Sequence, residues 1–277
     1  MTRGITTSRL YHTILHLFIV LRKYKSILSV NELILWWCLV MLHIVSVSDI
    51  HSPRYLPLFF ASITTLRLAN QKVDLIILAG DIVEKNSINN MKPVISVLNK
   101  LIDRCVVDSP IVAVFGNEEY IGFEHKYREM YPEVLWLDDE YTVIEIRGTE
   151  ICIVGSRGVL KKPTIWQKKN IPNIDNLYIN RLRKIRELLK ICREYRLSIL
   201  VTHYASTSIT LQGELPQIHD FLGYKIIEYI DSSLRPDISI HGHAHNSTKT
   251  YAVINTTKIF NVSLPATKRI TVIDVDI

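Results

Sequence analysis

The chain has 277 residues, 48% hydrophobic and 22% charged, which is the composition of a folded globular protein and excludes intrinsic disorder. A formal charge of +6 would suggest a nucleic-acid partner. The first 40 residues carry +4 of this charge, so the rest of the chain is close to neutral. A nucleic-acid partner is therefore possible but not favoured. The four cysteines lie far apart with no C-x-x-C pair, which argues against a zinc knuckle or a disulfide framework and favours a reducing cytoplasm.

The first 40 residues form a hydrophobic and basic extension. The stretch YHTILHLFIVL is similar to a signal peptide, but two histidines interrupt it and no small-residue cleavage site follows. A second apolar run spans residues 33–47, but its last part is needed as the first strand, and the remaining roughly ten residues are too short to cross a bilayer. The extension therefore packs on the body, lies on a membrane surface or precedes a true start at Met41. We favour the last alternative, because MLHIVSVSD begins a domain without loss.

From Met41 onward, apolar runs alternate with helical patterns. The runs HIVSVSD, VDLIILAGD and PIVAVFGN predict strands that are buried on both faces. Segments with helical spacing, LPLFFASITTLRLAN and MKPVISVLNKLIDRC, lie between them. The first half is therefore predicted to be a β-α-β-α-β series with parallel strands.

The second half contains short strands at closer spacing, which indicates antiparallel pairing. These predicted strands are EVLWL, YTVIEI, EICIVGS, KTYAVI, KIFNVS and ITVIDV. A helix over NLYINRLRKIRELLKICREY carries one apolar stripe of Leu182, Ile185, Leu189 and Cys192. We expect an α/β fold over residues 41–277, in which two mixed sheets pack face to face with helices outside.

Five predicted strands end directly on residue types that bind metals. They provide Asp49 and His51, Asp81, Asn117, His203, and His243 with His245. One such residue after a strand is usually an ordinary turn, but the ordered set is hard to reach by chance. Ligands bind at the carboxyl ends of strands in open α/β sheets, and residues i and i+2 of an extended chain project to the same side. We therefore expect these seven side chains to face one cavity.

This set resembles the calcineurin-like metallophosphoesterase family, whose pattern is D-x-H, G-D, G-N-H-[DE], a strand-end H and G-H-x-H. The blocks occur here in that order between Asp49 and His245. The resemblance implies a four-layer α/β-β/α sandwich with a two-metal site. It also implies that Asp49, His51 and His245 hold the first metal, that Asn117, His203 and His243 hold the second, and that Asp81 bridges both.

The ligand types favour transition metals and an anionic substrate. Mixed nitrogen and oxygen donors suit manganese, iron, zinc, cobalt or nickel better than magnesium alone. Two aspartates against two divalent ions leave a charge of about +2, which attracts phosphate. A metal-bridging water that loses its proton near neutral pH can attack phosphorus in line. The predicted function is metal-dependent hydrolysis of a small phosphodiester or phosphomonoester; a non-catalytic binding scaffold and a nuclease are the alternatives.

The chain departs from the family pattern at Glu118, where the family has a histidine that assists the leaving group. A carboxylate beside two cations stays ionised, so Glu118 cannot readily donate a proton and instead turns outward, holds a water, pairs with a cation or has no role. Glu119 fills the acidic position that orients the family histidine, and with Glu118 beside it there is no histidine to orient. Glu118 stays a catalytic candidate with Asp81 and Asn117. A further candidate is His241, which faces the phosphate or packs inside.

Other features of the sequence are less specific. The loop SRGVLKKPTIWQKKN carries Arg157, Lys161, Lys162 and Trp166, so it either closes over an anionic or aromatic substrate or is simply exposed. The helix around residues 181–196 has seven basic and two acidic residues, which indicates a solvated face more than a nucleic-acid track. His125 and His219 have no motif around them and are expected to be ordinary surface or core residues.

Overall fold

The computed structural model describes residues 41–66, 73–105 and 109–277, and residues 42–277 form one compact unit. The strands are Met41–Val47 (β1), Leu75–Ala79 (β2), Ile111–Val114 (β3), Val134–Leu137 (β4), Glu140–Ile146 (β5), Thr149–Ser156 (β6), Leu197–Thr202 (β7), Ile238–His241 (β8), Tyr251–Ile254 (β9), Thr257–Asn261 (β10) and Thr271–Asp276 (β11). The helices are Leu56–Thr65 (α1), Met91–Cys105 (α2), Glu124–Met130 (α3), Ile165–Asn170 (α4), Ile174–Cys192 (α5), Ile226–Tyr229 (α6) and Leu264–Thr267 (α7).

The first sheet has five strands in the order β11-β1-β2-β3-β4. Parallel pairing runs from β1 through β2 and β3 to β4, with Ile44 opposite Leu75 and Ile76 opposite Ile111. The predicted β-α-β-α-β series is therefore confirmed. The strand EVLWL was expected to pair in antiparallel fashion, but β4 is parallel to β3.

The second sheet has six strands in the order β5-β6-β7-β8-β10-β9. Only its two outer pairs, β5 with β6 and β9 with β10, are antiparallel hairpins. The inner strands β6, β7, β8 and β10 are parallel neighbours. The expected antiparallel pairing is therefore confirmed for these two hairpins and the sheet is mixed as predicted, whereas the strands between the hairpins are parallel because crossover connections, rather than short turns, join them.

The side-chain alternation of the strands builds three apolar layers. In β2, Ile76 and Leu78 face the layer beneath the helices of the first sheet, whereas Leu75 and Ile77 face the second sheet. In β6, Ile153 faces the layer between the sheets, and its neighbours pack against α5 on the outside. Helices therefore cover the outer face of each sheet, and the predicted four-layer sandwich is confirmed.

The last part of the apolar run over residues 33–47 forms the first strand, as the sequence predicted. Residues 41–47 are strand β1, which lies inside the first sheet between β11 and β2. The extension over residues 1–40 lies outside the described residues, so its role stays a prediction. None of the described helices reaches the length and hydrophobicity that a bilayer span requires.

A disulfide joins Cys152 and Cys192, which the cysteine spacing had argued against. The residues are 40 positions apart, but α5 packs on the outer face of β6 and brings their Cα atoms to 5.4 Å. Spacing along the chain therefore says little about pairing across layers. The disulfide also weakens the argument for a reducing cytoplasm, because disulfides persist mainly in oxidising compartments.

Candidate metal centre

The predicted ligands converge where strands of both sheets end. Residues after β1, β2 and β3 come from the first sheet, and residues after β7 and β8 come from the second. Ligand atoms within 4.8 Å of one another form two groups: Asp49, Asp81, His203 and His243, and Asp49, His51 and His245. The seventh residue, Asn117, places Oδ1 3.1 Å from Nε2 of His203.

Asp81 lies at the centre of this arrangement. Its Oδ2 is 3.7 Å from Nε2 of His51 and 3.4 Å from Nε2 of His203. Nε2 of His203 is also 3.2 Å from Nδ1 of His243. Ligand atoms that each lie about 2.1 Å from one ion are separated by about 3.0–3.4 Å, so these distances are close to those of a ligand shell.

His51 gives an independent indication that the site fits a cation. Its Nε2 is buried and has no hydrogen-bond partner among the described residues. The same atom lies 3.8 Å from Oδ1 of Asp49 and 3.7 Å from Oδ2 of Asp81. A buried imidazole nitrogen that faces two carboxylates without bonding to either is suited to share a metal ion with them.

The pKa values of these groups keep negative oxygens available. Burial opposes ionisation, but His245 lowers the pKa of Asp49, and His203 lowers the pKa of Asp81. Burial also opposes charge on His203, yet Asp81 raises the pKa of His203 to about 9. Burial together with the charge of His203 lowers the pKa of His243 to about 3. Both aspartates are therefore ionised at neutral pH, and a metal that binds His203 must displace its proton.

The backbone is strained at four of these residues. Asp49, His51, Asp81 and His243 have φ values of 56°, 41°, 51° and 66°, in the left-handed region that non-glycine residues rarely occupy. Their side chains therefore converge through sharp turns after the strands rather than through the extended i and i+2 geometry that the sequence analysis assumed. Strain of this kind is typical of functional sites.

Two glycines permit close packing around the aspartates. A Cβ on Gly116 would lie 2.1 Å from Oδ1 of Asp81, and one on Gly242 would lie 2.6 Å from Oδ2 of Asp49. No side chain fits at these distances. Contact with the aspartate ligands therefore explains why both positions carry glycine.

Glu119 binds backbone rather than a neighbouring side chain. Its buried carboxylate accepts N–H groups of Asp81 (2.9 Å), Ile82 (2.7 Å), Val83 (3.1 Å) and Gly116 (2.7 Å). It therefore fastens the loop after β2 to the loop after β3. Burial and the charge of Asp81 raise the pKa of Glu119 to about 7.

Glu118 turns away from the predicted ligands. Its Oε2 accepts the N–H of Lys85 at 2.6 Å, and its carbonyl accepts the N–H of Asn86 at 2.8 Å. Its own N–H donates to Oδ1 of Asp81 at 2.8 Å. Of the alternatives for Glu118, the outward orientation agrees with this geometry.

His241 packs inside and does not face the ligand cluster. Its buried ring accepts from the hydroxyl of Thr210 at Nε2 (2.7 Å) and donates from Nδ1 to the carbonyl of Gly242 (2.9 Å). Both ring nitrogens are thereby occupied. The catalytic role considered for His241 is corrected to a structural one, because β8 ends at this residue and the chain turns before His243.

The loop after β6 differs from the exposed basic segment that was considered. Arg157 is buried and donates to the carbonyls of Gly116 and Glu119, so it supports the loop after β3. Lys161 and Lys162 both pair with Asp220 on the surface. Of the expectation that this loop closes over an anionic or aromatic substrate, the part that remains is contact between Trp166 and an aromatic group.

Two supporting residues had no recognisable signal in the sequence. Glu214 accepts from the backbone N–H of Asn246 at 2.6 Å and from its side chain at 3.1 Å, directly after His245. Ser48 donates its hydroxyl to Oδ2 of Asp49 at 2.6 Å.

In the basic helix, Arg181 is buried against Asp139 rather than solvated.

Comparisons with known proteins agree with the fold and the ligand pattern. A model of the calcineurin-like phosphoesterase family matches residues 42–247. No curated protein matches the chain. The phosphopantetheinyl hydrolase from Mycobacterium tuberculosis has a similar structure, with a TM-score of 0.59 and 17% identity over 81% of this chain and 89% of that protein. The 5'-nucleotidase precursor from Thermus thermophilus has a TM-score of 0.51 and 12% identity over 85% of this chain and 51% of that protein. At such identities the structural likeness establishes the fold alone.

Proposed function

Because the chain belongs to the calcineurin-like phosphoesterase family, as its strand-end motifs predicted, we propose that it hydrolyses small phosphate esters with two divalent transition-metal ions. Membership establishes the class, a metal-dependent phosphoester hydrolase, and the number of ions is the proposal. Manganese, iron, zinc, cobalt and nickel are the candidates, because imidazole nitrogens are combined with carboxylate and amide oxygens. The proposed catalytic domain spans residues 41–277, since β1 begins at Met41.

The position of Asp81 is the observation that carries the proposal. Its Oδ2 lies between His51 at 3.7 Å and His203 at 3.4 Å, and these histidines are assigned to different ions. A single carboxylate oxygen between two such histidines is suited to bridge a pair of cations. This geometry supports two ions more than one.

The cations would make a bound water acidic enough to lose its proton near neutral pH and would neutralise the phosphate oxygens. Asp49 and Asp81 contribute two negative charges, and the amide of Asn117 adds none, so the charged site keeps about +2 to attract phosphate. Asn117 and His243 border an open cavity of about 320 Å³, which gives the ester group a path to the site. The strained turns hold these side chains in place before the substrate arrives.

Glu118 is not placed to protonate the leaving group. Its carboxylate is held by the N–H of Lys85 and stays on the side of that loop. The proposed substrates are therefore esters whose leaving group is stable as an anion or is held by a cation. Aryl esters are therefore expected to react faster than alkyl esters.

Metal content and hydrolysis together test this function. The chain is reconstituted with manganese or zinc, its ions are counted by elemental analysis, and bis-p-nitrophenyl phosphate and p-nitrophenyl phosphate are assayed. We expect two ions per chain and hydrolysis of at least one ester. Asp81→Asn should abolish activity more completely than His51→Ala, because it removes the charge shared by both ions, and His125→Ala, at an exposed histidine, is the control.

Three outcomes would contradict the proposal. Fewer than about one ion per chain, or equal and mild losses in the Asp81 and His51 variants, would rule out a bridged pair. Two bound ions without hydrolysis of any ester in a broad panel would favour the non-catalytic scaffold.

A further inference from the structure

Exposed apolar side chains gather beside the candidate metal centre. Tyr120 and Ile121 are 37% and 47% exposed on the loop after β3, and Trp166 is 58% exposed at the start of α4. Single exposed apolar residues are ordinary, but a group of three that lines a cavity indicates a binding surface.

Two cavities lie under this rim and share one wall. The cavity next to the metal centre, about 320 Å³, is lined by Asn117, Glu118 and His243 and also by Tyr120 and Trp166. A second cavity of about 410 Å³ is also lined by Asn117, Tyr120 and Trp166. A ligand with its phosphate at Asn117 and His243 would therefore share its cavity with the two aromatic rings. The volumes are those of small-molecule sites.

The two rings are placed to hold a flat group. The ring centroids of Tyr120 and Trp166 are 6.3 Å apart, with 38° between the planes. A small opening of this gap admits one aromatic ring in contact with both faces.

The helix that carries Trp166 is held firmly. Thr164 and Gln167 form a reciprocal capping box at the start of α4, with bonds of 3.1 Å and 2.9 Å. The amide of Gln167 also donates to the hydroxyl of Tyr204 at 2.9 Å and accepts from the hydroxyl of Tyr178 at 3.2 Å. Trp166 is therefore presented to solvent by an anchored segment, which lowers the entropic cost of binding.

We infer that Tyr120 and Trp166 form an aromatic clamp that selects phosphate esters whose ester group is a flat ring system. This inference rests on the proposed function, because the metal centre is taken to hold the phosphate. Stacking on an aromatic side chain changes affinity by about five- to hundredfold, which is large enough to decide among substrates.

Three phosphonates separate stacking from general hydrophobic binding, and their P–C bonds exclude turnover during the measurement. Dissociation constants of benzylphosphonate, cyclohexylmethylphosphonate and methylphosphonate are measured by calorimetry on the metal-loaded full chain. Benzylphosphonate and cyclohexylmethylphosphonate have similar size, but only the first is flat. We expect benzylphosphonate to bind at least about fivefold more tightly than cyclohexylmethylphosphonate.

Variants then assign the preference to the clamp. Trp166→Ala should reduce the benzyl preference to within about twofold, and Trp166→Phe, which keeps a flat ring, should retain most of it. Ile165→Ala is the matched control, because Ile165 is the adjacent exposed residue and lines neither cavity. It should leave all three dissociation constants unchanged.

Several results would overturn the clamp. These are equal binding of the flat and puckered rings, a benzyl preference that survives Trp166→Ala, and a preference lost in Ile165→Ala. Absence of binding by all three phosphonates would overturn the proposed function and the clamp with it, because the metal centre would then not hold the phosphate. Failure of hydrolysis alone looks different. Methylphosphonate would then bind the metal-loaded chain and the benzyl preference would be present, while no phosphate ester is hydrolysed.

Discussion

Replacing Glu119 by glutamine tests how the two ligand loops are held together. The carboxylate accepts four buried backbone N–H groups, two on each oxygen. Glutamine keeps one oxygen and replaces the other by an NH₂ group, which cannot accept. Either the N–H groups of Ile82 and Val83 or those of Asp81 and Gly116 lose their partner, whichever way the amide turns.

The expected loss of stability follows from these two bonds. A buried donor left without a partner costs about 1–3 kcal/mol, so Glu119→Gln should lower the free energy of unfolding by about 2–6 kcal/mol. This is a large part of the roughly 5–15 kcal/mol that stabilises a typical domain. Metal affinity should also fall, by about 10–100-fold, because the bonds fix the loops that carry Asp81 and Asn117.

Urea unfolding of the metal-free protein measures the effect without a contribution from bound ions. The experiment is performed at pH 8, above the pKa of about 7 for Glu119, so that the wild-type carboxylate is ionised. Glu118→Gln is the matched control: it is the same substitution at the adjacent residue, where the carboxylate accepts one N–H, from Lys85. The control should cost less than about 1.5 kcal/mol.

A change below about 1 kcal/mol in Glu119→Gln, or equal changes in the two variants, would refute this reasoning. It would mean that the loops find other partners for their N–H groups. A stable variant that binds metal as tightly as the wild type would lead to the same conclusion.

Three further predictions concern the leaving group, the disulfide and the extension. Because Glu118 does not donate a proton, hydrolysis rates should depend steeply on the pKa of the leaving group. The missing general acid catalysis typically contributes about 10²–10⁴-fold. Rates that do not change across a series of esters with different leaving groups would contradict this prediction. Reduction of Cys152–Cys192, which spans 40 positions, should lower the free energy of unfolding by up to about 4 kcal/mol; an unchanged urea midpoint in reductant would disprove it. A protein that starts at Met41 should fold and bind metal, because all predicted ligands follow this residue. If that protein is insoluble while the full chain is soluble, the prediction is wrong.

The strand ends could be predicted because two signals coincide there. Runs such as IILAG and IVAVFG are apolar throughout, as buried parallel strands require, and a polar residue that follows directly has few positions to occupy. Asp81 and Asn117 therefore follow β2 and β3 as the pattern predicted, and their role as ligands stays a prediction. The parallel pairing of β4 and of the inner strands of the second sheet was not predicted, because it depends on connections that lie far from the strands themselves.

The orientation of individual side chains was less accessible to sequence reasoning. His241 lies two residues before His243, and strict alternation would have put both rings on one side, but the strand ends between them. Glu119 fills the position at which the family has an acid that orients its histidine, whereas its partners here are backbone groups, which no sequence pattern encodes. The capping box of α4 was within reach, because Thr164 followed by Gln167 three positions later is a known signature of a helix start.

Trp166 lines the ester cavity but comes from a different part of the fold than the residues that would hold the cations. The ligands follow strands in both sheets, whereas Trp166 belongs to the connection between β6 and α5. The same connection begins with Arg157, which supports the loop that carries Asn117. Substitutions on α4 that leave Arg157 in place can therefore change which esters enter without moving the atoms that perform the chemistry, so selectivity can diverge while reactivity is kept.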